Sequence, residues 1–298
     1  MESRRYIFPF IIASFLFYAS CAGTRPAQIV SAPVKSPPAK VALVLGAGAA
    51  RGFAHIGVIK VLEANHIPIN MVVGTSAGSV VGSLYAAGYN GFQLQKLALN
   101  VNKSDIVDLC FPDNGFIKGD KLEAFVNRMV KNTPLEQLKI PFYPVATDIR
   151  TGKEVVFATG NTGEAVRASC SIPGVFRPTS FGGRTFVDGG VVSPIAVNAA
   201  RARGADIVIA VDISSDLDHS APQGTVDTIL QSVNIMYSKI SSIQLPGADV
   251  VIRPKVGNIG SSDFDKRNEA IMEGEEAATE AMPRIKAALA KLRAAGRL

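Results

Sequence analysis

Apolar runs and amphipathic stretches alternate along the chain from residue 41 onward. Val41–Leu45 is wholly apolar, as a strand covered on both faces requires. Further strands are predicted at Asn70–Val73, Phe142–Thr147, Glu154–Phe157, Arg184–Val187, Ile207–Val211 and Val250–Ile252. Between them the period lengthens to that of a helix. Phe53–Ala64 carries Ile56, Ile59, Lys60 and Glu63 at helical spacing, and Ala77–Ala87 ends at Gly88. Asp120–Lys131 and Ile195–Arg203 read as helices too. Val226, Ile229, Leu230, Val233, Met236, Ile240 and Ile243 form a long helical stripe, and Ala277, Ala281, Ile285, Leu289 and Leu292 outline a C-terminal helix. Strands interleaved with helices predict an α/β fold, a three-layer sandwich with a mostly parallel central sheet. No internal repeat is visible. Nothing after residue 40 is long enough to act as a linker, so residues 41–298 are expected to form one domain.

The first forty residues follow a different pattern. Arg4 and Arg5 precede an apolar stretch, Tyr6–Tyr18, too short to span a bilayer, and residues 1–20 read as a signal peptide. Tyr18-Ala19-Ser20-Cys21 resembles a bacterial lipoprotein signal, in which Cys21 would be acylated. Ala22 is not Asp, so this resemblance implies export and attachment to the outer membrane rather than the inner. Residues 21–40, rich in Pro and without periodicity, read as a flexible tether.

Composition narrows the function classes. The 298 residues are 47% hydrophobic and 19% charged, a balance that excludes a disordered chain. Trp is absent and aromatics make up 7%, which argues against a stacking platform for single-stranded nucleic acid or sugar. Three Cys and three His leave little material for a metal site or disulfide framework. The net charge of +6 comes without any Lys/Arg run, so nucleic acid is not an expected partner. The excess suits solubility or contact with an anionic lipid surface. No metal or organic cofactor is expected.

Three local signals carry the candidate chemistry. Gly46-Ala47-Gly48-Ala49-Ala50-Arg51-Gly52 joins a strand to a helix, where small residues let backbone N–H groups approach an anion. Gly74-Thr75-Ser76-Ala77-Gly78 follows a strand and opens a helix, the context in which G-x-S-x-G projects a nucleophilic serine. Ser76 also fits as a plain helix N-cap. Asp188-Gly189-Gly190 follows the strand Arg184–Val187; in a parallel sheet its carboxylate reaches the same edge as the other two loops, although Asp-Gly is also a common turn. A nucleophile, a base and an oxyanion trap are what acyl transfer needs. The histidines fit poorly: His55 sits inside a helix, His66 in a turn, and only His219 follows Asp188, in a polar stretch.

The loop GAGAARGFAHIGVIKVLE, the GTSAG elbow and the segment from Arg167 to Asp212 closely resemble the bacterial patatin-like phospholipase family, in order and in register. The resemblance covers roughly Val41 to Ile213. It implies a Ser/Asp dyad without His: Ser76 as nucleophile, Asp188 as base, elbow glycines Gly74 and Gly78, and an oxyanion hole around Gly48, Ala49 and Ala50 braced by Arg51. The family usually has Gly where Ala47 and Ala49 stand, and Ala does not easily take a positive φ. The implied activity is hydrolysis of acyl esters in lipids or phospholipids, at a membrane surface reached through the lipid anchor.

Other readings remain open on the residues alone. A dinucleotide-binding fold would want an acidic residue at the end of the second strand, where Gly74 stands. An α/β-hydrolase would use His219. A non-catalytic lipid- or phosphate-binding lipoprotein would keep the same fold. The segment Asn102–Gly119, with Ile106, Val107, Leu109, Phe111 and Phe116, fits either core or an apolar pocket wall.

Overall fold

A computed structural model describes residues 37–110, 115–214 and 224–298. Cys21, the expected signal peptide, most of the tether, Phe111 and His219 lie outside the described residues. In chain order the elements are β1 (Val41–Leu45), α1 (Ala54–Ala64), β2 (Met71–Thr75), α2 (Ala77–Ala87), α3 (Gly91–Asn100), α4 (Lys103–Ile106), α5 (Asp120–Met129), β3 (Phe142–Asp148), β4 (Glu154–Val156), α6 (Thr162–Ser169), β5 (Thr179–Phe181), β6 (Arg184–Asp188), α7 (Val197–Ala202), β7 (Ile207–Val211), α8 (Thr225–Gln244), β8 (Val250–Ile252) and α9 (Arg267–Ala294). The strands form one sheet in the order β5-β6-β3-β2-β1-β7-β8, with β4 also paired to β3. The pairs β3-β2, β2-β1, β1-β7 and β7-β8 are parallel; β4 and β6 on β3, and β5 on β6, are antiparallel.

The apolar strands are buried on both faces because helices cover both. Val41, Leu43 and Leu45 of β1 join Ile207, Ile209 and Val211 of β7 in a core shared with α1, α3, α5 and α9. The intervening Ala42, Val44, Val208 and Ala210 point to the opposite face, against Val197, Ala199 and Ala200 of α7. The period-2 alternation therefore divides two cores rather than core from solvent. Pro37–Lys40, which composition assigns to the tether, pack onto the end of the chain. Ala39 is buried and its N–H donates to Arg297 O at 2.8 Å, and Lys40 N–H donates to Asp206 Oδ2 at 2.8 Å.

The observed elements differ from the expected ones at identifiable places. α3 and α6 are preceded by the N-cap residues Asn90 and Asn161, whose side chains accept from Gln93 N–H and Glu164 N–H, cap signals in the sequence that periodicity alone passes over. On α8 the inward positions are Val233, Tyr237 and Ser241, whereas Met236 and Ile243 of the expected stripe are 49% and 78% exposed. Val233 of the expected stripe is thus inward, with Ile229 and Leu230 packed beside it, and the buried face continues through the polar-tipped Tyr237 and Ser241, which an apolar count passes over. β6 is antiparallel to its neighbour, not parallel, and this changes how Asp188 reaches the site.

Candidate active site

β2 and β6 converge on adjacent positions of β3. Thr75, the last residue of β2, pairs with Val145, and Asp188, the last of β6, pairs with Ala146. The two strand ends meet although their chains run in opposite directions. The carboxylate thus arrives beside Ser76 by antiparallel pairing instead of sharing the edge of a parallel sheet.

Ser76 occupies the turn between β2 and α2 with φ 53° and ψ −123°, a strained conformation for a non-glycine residue. It stands in the N-cap position of α2, yet its hydroxyl makes no capping bond, so the capping alternative fails. Its backbone is held instead. Ser76 N–H donates to Ser169 Oγ at 2.9 Å, and Ser169 Oγ–H donates to Val145 O at 2.6 Å. Ser79 Oγ–H donates to Ser76 O at 2.7 Å. The glycines on either side permit this turn by close approach. A Cβ on Gly74 would lie 2.6 Å from Gly78 O, and one on Gly78 would overlap Leu45 O.

Asp188 is fully buried. Its N–H donates to Ser171 O at 2.8 Å, and its O accepts from Thr147 Oγ1 at 2.9 Å. Oδ1 accepts Gly190 N–H at 2.7 Å, which is the Asp-Gly turn read from the sequence. Oδ2 has no hydrogen-bond partner among the described residues. The hydroxyls of Ser76 and Tyr237 lie close enough to favour the charged carboxylate, without a bond of ordinary geometry. Burial outweighs them and pushes the Asp188 pKa up to about 6.

The small-residue loop lies alongside. Ala49 adopts φ 51°, the left-handed conformation that its methyl group disfavours. Ala50 N–H donates to Ser261 O at 3.1 Å and Arg51 N–H to Gly48 O at 3.1 Å, so both already have acceptors. The N–H groups of Gly48 and Ala49 have none among the described residues. Arg51 is buried and its Nε–H donates to Ile259 O at 2.8 Å, tying the loop to the segment after β8. His55 supports the loop from behind, its Nε2–H donating to Gly46 O at 2.9 Å. Burial pushes the His55 pKa down to about 4, so the ring is neutral at pH 7. His66 is exposed, at the turn after α1.

An apolar cavity of about 320 Å³ opens onto Ser76 and Ala49. Ala77, Val80, Val81 and Leu84 of α2 form one wall. Ala77 to Leu84 is seven helical steps, about 10 Å at 1.5 Å per residue. Leu94 of α3 and Phe125 of α5 line it as well. Of the segment 102–119, Lys103, Ile106, Val107 and Ile117 line this cavity, whereas Leu109 is 79% exposed. Cys170 also faces it, with Sγ 3.7 Å from Ser79 Oγ; Cys110 and Cys170 are both free thiols. Among the described residues no group of three metal-ligating side chains occurs, and no helix is long and apolar enough to cross a membrane.

Two residues at this site escaped the sequence reading. Ser169 lies inside the motif-bearing segment but carries no signature of its own. Tyr237 falls within the α8 stripe, where one polar-tipped residue at a buried spacing was the available signal.

A strained serine elbow over an apolar cavity, on a mostly parallel α/β sheet, is the architecture of a hydrolase-like class of fold. Within that class the chain belongs to the patatin-like phospholipase family, whose sequence profile matches residues 43–201. An uncharacterised NTE family protein of Mycobacterium tuberculosis is 35% identical over 207 residues, covering 68% of this chain and 57% of that protein. A lysophospholipase NTE1 of Pyricularia oryzae is 32% identical over 235 residues, covering 76% of this chain and 16% of that one. The chain thus spans little more than half of the mycobacterial relative and under a fifth of the fungal one. Among solved structures, VipD of Legionella pneumophila is similar in fold, with a TM-score of 0.56 at 14% identity over 84% of this chain and 67% of that one.

Proposed function

We propose that the protein is a serine acyl hydrolase that releases fatty acyl chains from ester linkage in lipids or phospholipids, with Ser76 as nucleophile and Asp188 as base. The observation that carries this reading is the buried Asp188 carboxylate beside the strained Ser76, at an apolar cavity. Asp188 accepts the Ser76 proton as Oγ attacks the acyl carbonyl carbon. The tetrahedral intermediate's oxyanion takes the N–H groups of Gly48 and Ala49, and the positive end of α2 favours the same charge. The C–O bond to the leaving alcohol then breaks, and Asp188 returns the proton to it. A water molecule, deprotonated by Asp188, then attacks the acyl carbon; the bond to Ser76 Oγ breaks, Asp188 returns the proton to Oγ, and the fatty acid leaves. A base with pKa about 6 is charged at neutral pH and still basic enough to assist.

Membership in a phospholipase family and similarity to a protein named lysophospholipase support the lipid as substrate. The cavity suits an acyl chain, since its walls offer apolar contact over about 10 Å along α2. The same proposal extends to location: acylated Cys21 would anchor the enzyme at the cell envelope, outer membrane rather than inner, with residues 22–36 as tether. The motif around Cys21 supports this part.

The test is a fluorophosphonate probe on the full chain, beside Ser76→Ala and Asp188→Asn, followed by fatty acid release from phospholipid vesicles. Labelling at Ser76 in the parent only, with release that both substitutions abolish, is the expected result. Release by Ser76→Ala overturns the nucleophile. An unlabelled parent favours a lipid-binding role on the same fold. Turnover of short soluble esters with none of lipid overturns the substrate.

A further inference from the structure

Asp188 has one oxygen committed and one free. Oδ1 holds Gly190 N–H, whereas Oδ2 is buried without a partner among the described residues. A second buried polar atom without a partner lies close by, the hydroxyl of Tyr237 on α8. Tyr237 is 4% exposed, and its ring end presses on the residue that holds Oδ1: a Cβ on Gly190 would collide with Tyr237 Cζ and Oη. The ring is fixed there by apolar neighbours, since Tyr237 packs in one cluster with Ala47, Ile172, Val175 and Val233. A hydroxyl can donate and a carboxylate oxygen can only accept, so the two unmet groups are complementary.

We propose that Tyr237 is a positioning residue: its phenolic O–H donates to Asp188 Oδ2, holds the carboxylate toward Ser76 and favours its charged form. The inference rests on the reading of Ser76 and Asp188 as nucleophile and base. Two buried groups left unmet are costly, and these two are near enough for each to act on the other's charge state. The groups facing the carboxylate are the Ser76 hydroxyl from the elbow, the Cys170 thiol after α6, Gly190 N–H from its own turn and Tyr237 from α8. Burial raises the Cys170 thiol far above its ordinary range, so it stays neutral and adds no charge. Tyr237 is likewise held neutral by burial and by the neighbouring carboxylate, and so keeps the proton it needs to donate. Ser76 gives up its proton during reaction; Tyr237 does not, and can hold Asp188 through both half-reactions.

The experiment follows the rate of fluorophosphonate labelling at Ser76 across pH in the full chain. It compares the parent, Tyr237→Phe and a chain carrying 3-fluorotyrosine at position 237, which keeps the ring and strengthens the donor. Removing a hydrogen bond to a charged group from Tyr237→Phe moves the acid limb upward by about one pH unit or more, so labelling below the limb falls about tenfold. The fluorinated chain moves the limb downward. A Tyr237→Phe protein that loses rate equally at every pH, with the limb unmoved, overturns the proposal, because lost packing alone acts that way. If Tyr237→Phe fails to fold, the fluorinated chain decides, and an unmoved limb there overturns it. A parent that does not label overturns the reading of the site itself, which is a different failure from a parent that labels beside an unshifted variant.

Discussion

Replacing Asp188 by Asn should abolish turnover and make the protein more stable. The carboxylate is fully buried, and burial holds its pKa at about 6 instead of the ordinary 3.8. The folded state therefore binds this proton more tightly than the unfolded chain. Between those two values stability falls as pH rises, and above about 6 the whole cost is present. At 1.36 kcal/mol per pH unit that cost is about 3 kcal/mol. Asn has nearly the same shape. Its Oδ1 still accepts Gly190 N–H, and its amide meets the hydroxyls of Ser76 and Tyr237 without a desolvated charge. The gain at pH 8 is then about 3 kcal/mol, which for a domain of this size raises the melting temperature by roughly 6–12 °C. Below pH 3.8 the parent carboxyl is neutral in both states, and the two proteins should unfold alike. The assay is urea unfolding of parent and Asp188→Asn at pH 8, 6 and 4. Other carboxylates titrate in both proteins and cancel in the difference. Equal stability at pH 8, or a gain that persists undiminished at pH 4, would refute the argument.

Three further outcomes rest on the same geometry. The kcat/KM for a soluble ester should fall below about pH 6 with a slope of one, as Asp188 takes up its proton, and a flat profile down to pH 5 would remove Asp188 as the base. Ala49→Gly should stabilise the protein by about 0.5–1 kcal/mol in a denaturant titration, since a methyl group at φ 51° costs about 1–2 kcal/mol and the freer unfolded glycine returns about half. Leu84→Trp places bulk at the farthest α2 residue of the cavity, so an ester chain-length series should lose its longer members while short esters keep their rates. Each methylene buried in the parent adds up to about 0.8 kcal/mol, roughly fourfold in kcat/KM, until the chain reaches Leu84.

The central strands were legible because their apolarity is unbroken. Val41–Leu45 and Ile207–Val211 are buried at every position, and a residue-by-residue pattern carries that information locally. Short strands were not: Thr179–Phe181 has three residues, one of them exposed, and is defined by its pairing with β6 rather than by its own pattern. The direction of β6 was equally hidden, because parallel or antiparallel pairing with β3 depends on where a distant chain lies. Local reading offered Ser76 as an elbow nucleophile beside a plain N-cap, and Asp188 as a strand-end carboxylate beside a plain turn; the family resemblance joined the two as a dyad without His. The structure keeps the turn through Oδ1 and leaves Oδ2 free, so one residue serves both descriptions.

What no local pattern reveals is that the unfavourable features share one place. Ser76 and Ala49 are non-glycine residues at φ 53° and 51°, and Asp188 is a carboxylate out of water. Each costs of the order of 1–3 kcal/mol, and none is offset by a bond of its own side chain to the others in this structure. They persist because the surroundings over-determine them. Ser169 and Ser79 hold the elbow, Ile259 and Ser261 hold the loop through Arg51 and Ala50, and Thr147 and Ser171 hold the Asp188 backbone. Those bonds come from β3, α2, α6 and the segment after β8, elements far apart in sequence. A substitution that relaxes Ala49 or neutralises Asp188 should therefore stabilise the fold, and one that removes Ser169 should loosen the elbow while leaving the sheet intact. The unfavourable features thus gather where the two strand ends meet on β3, at the residues to which the proposed chemistry assigns its nucleophile and its base.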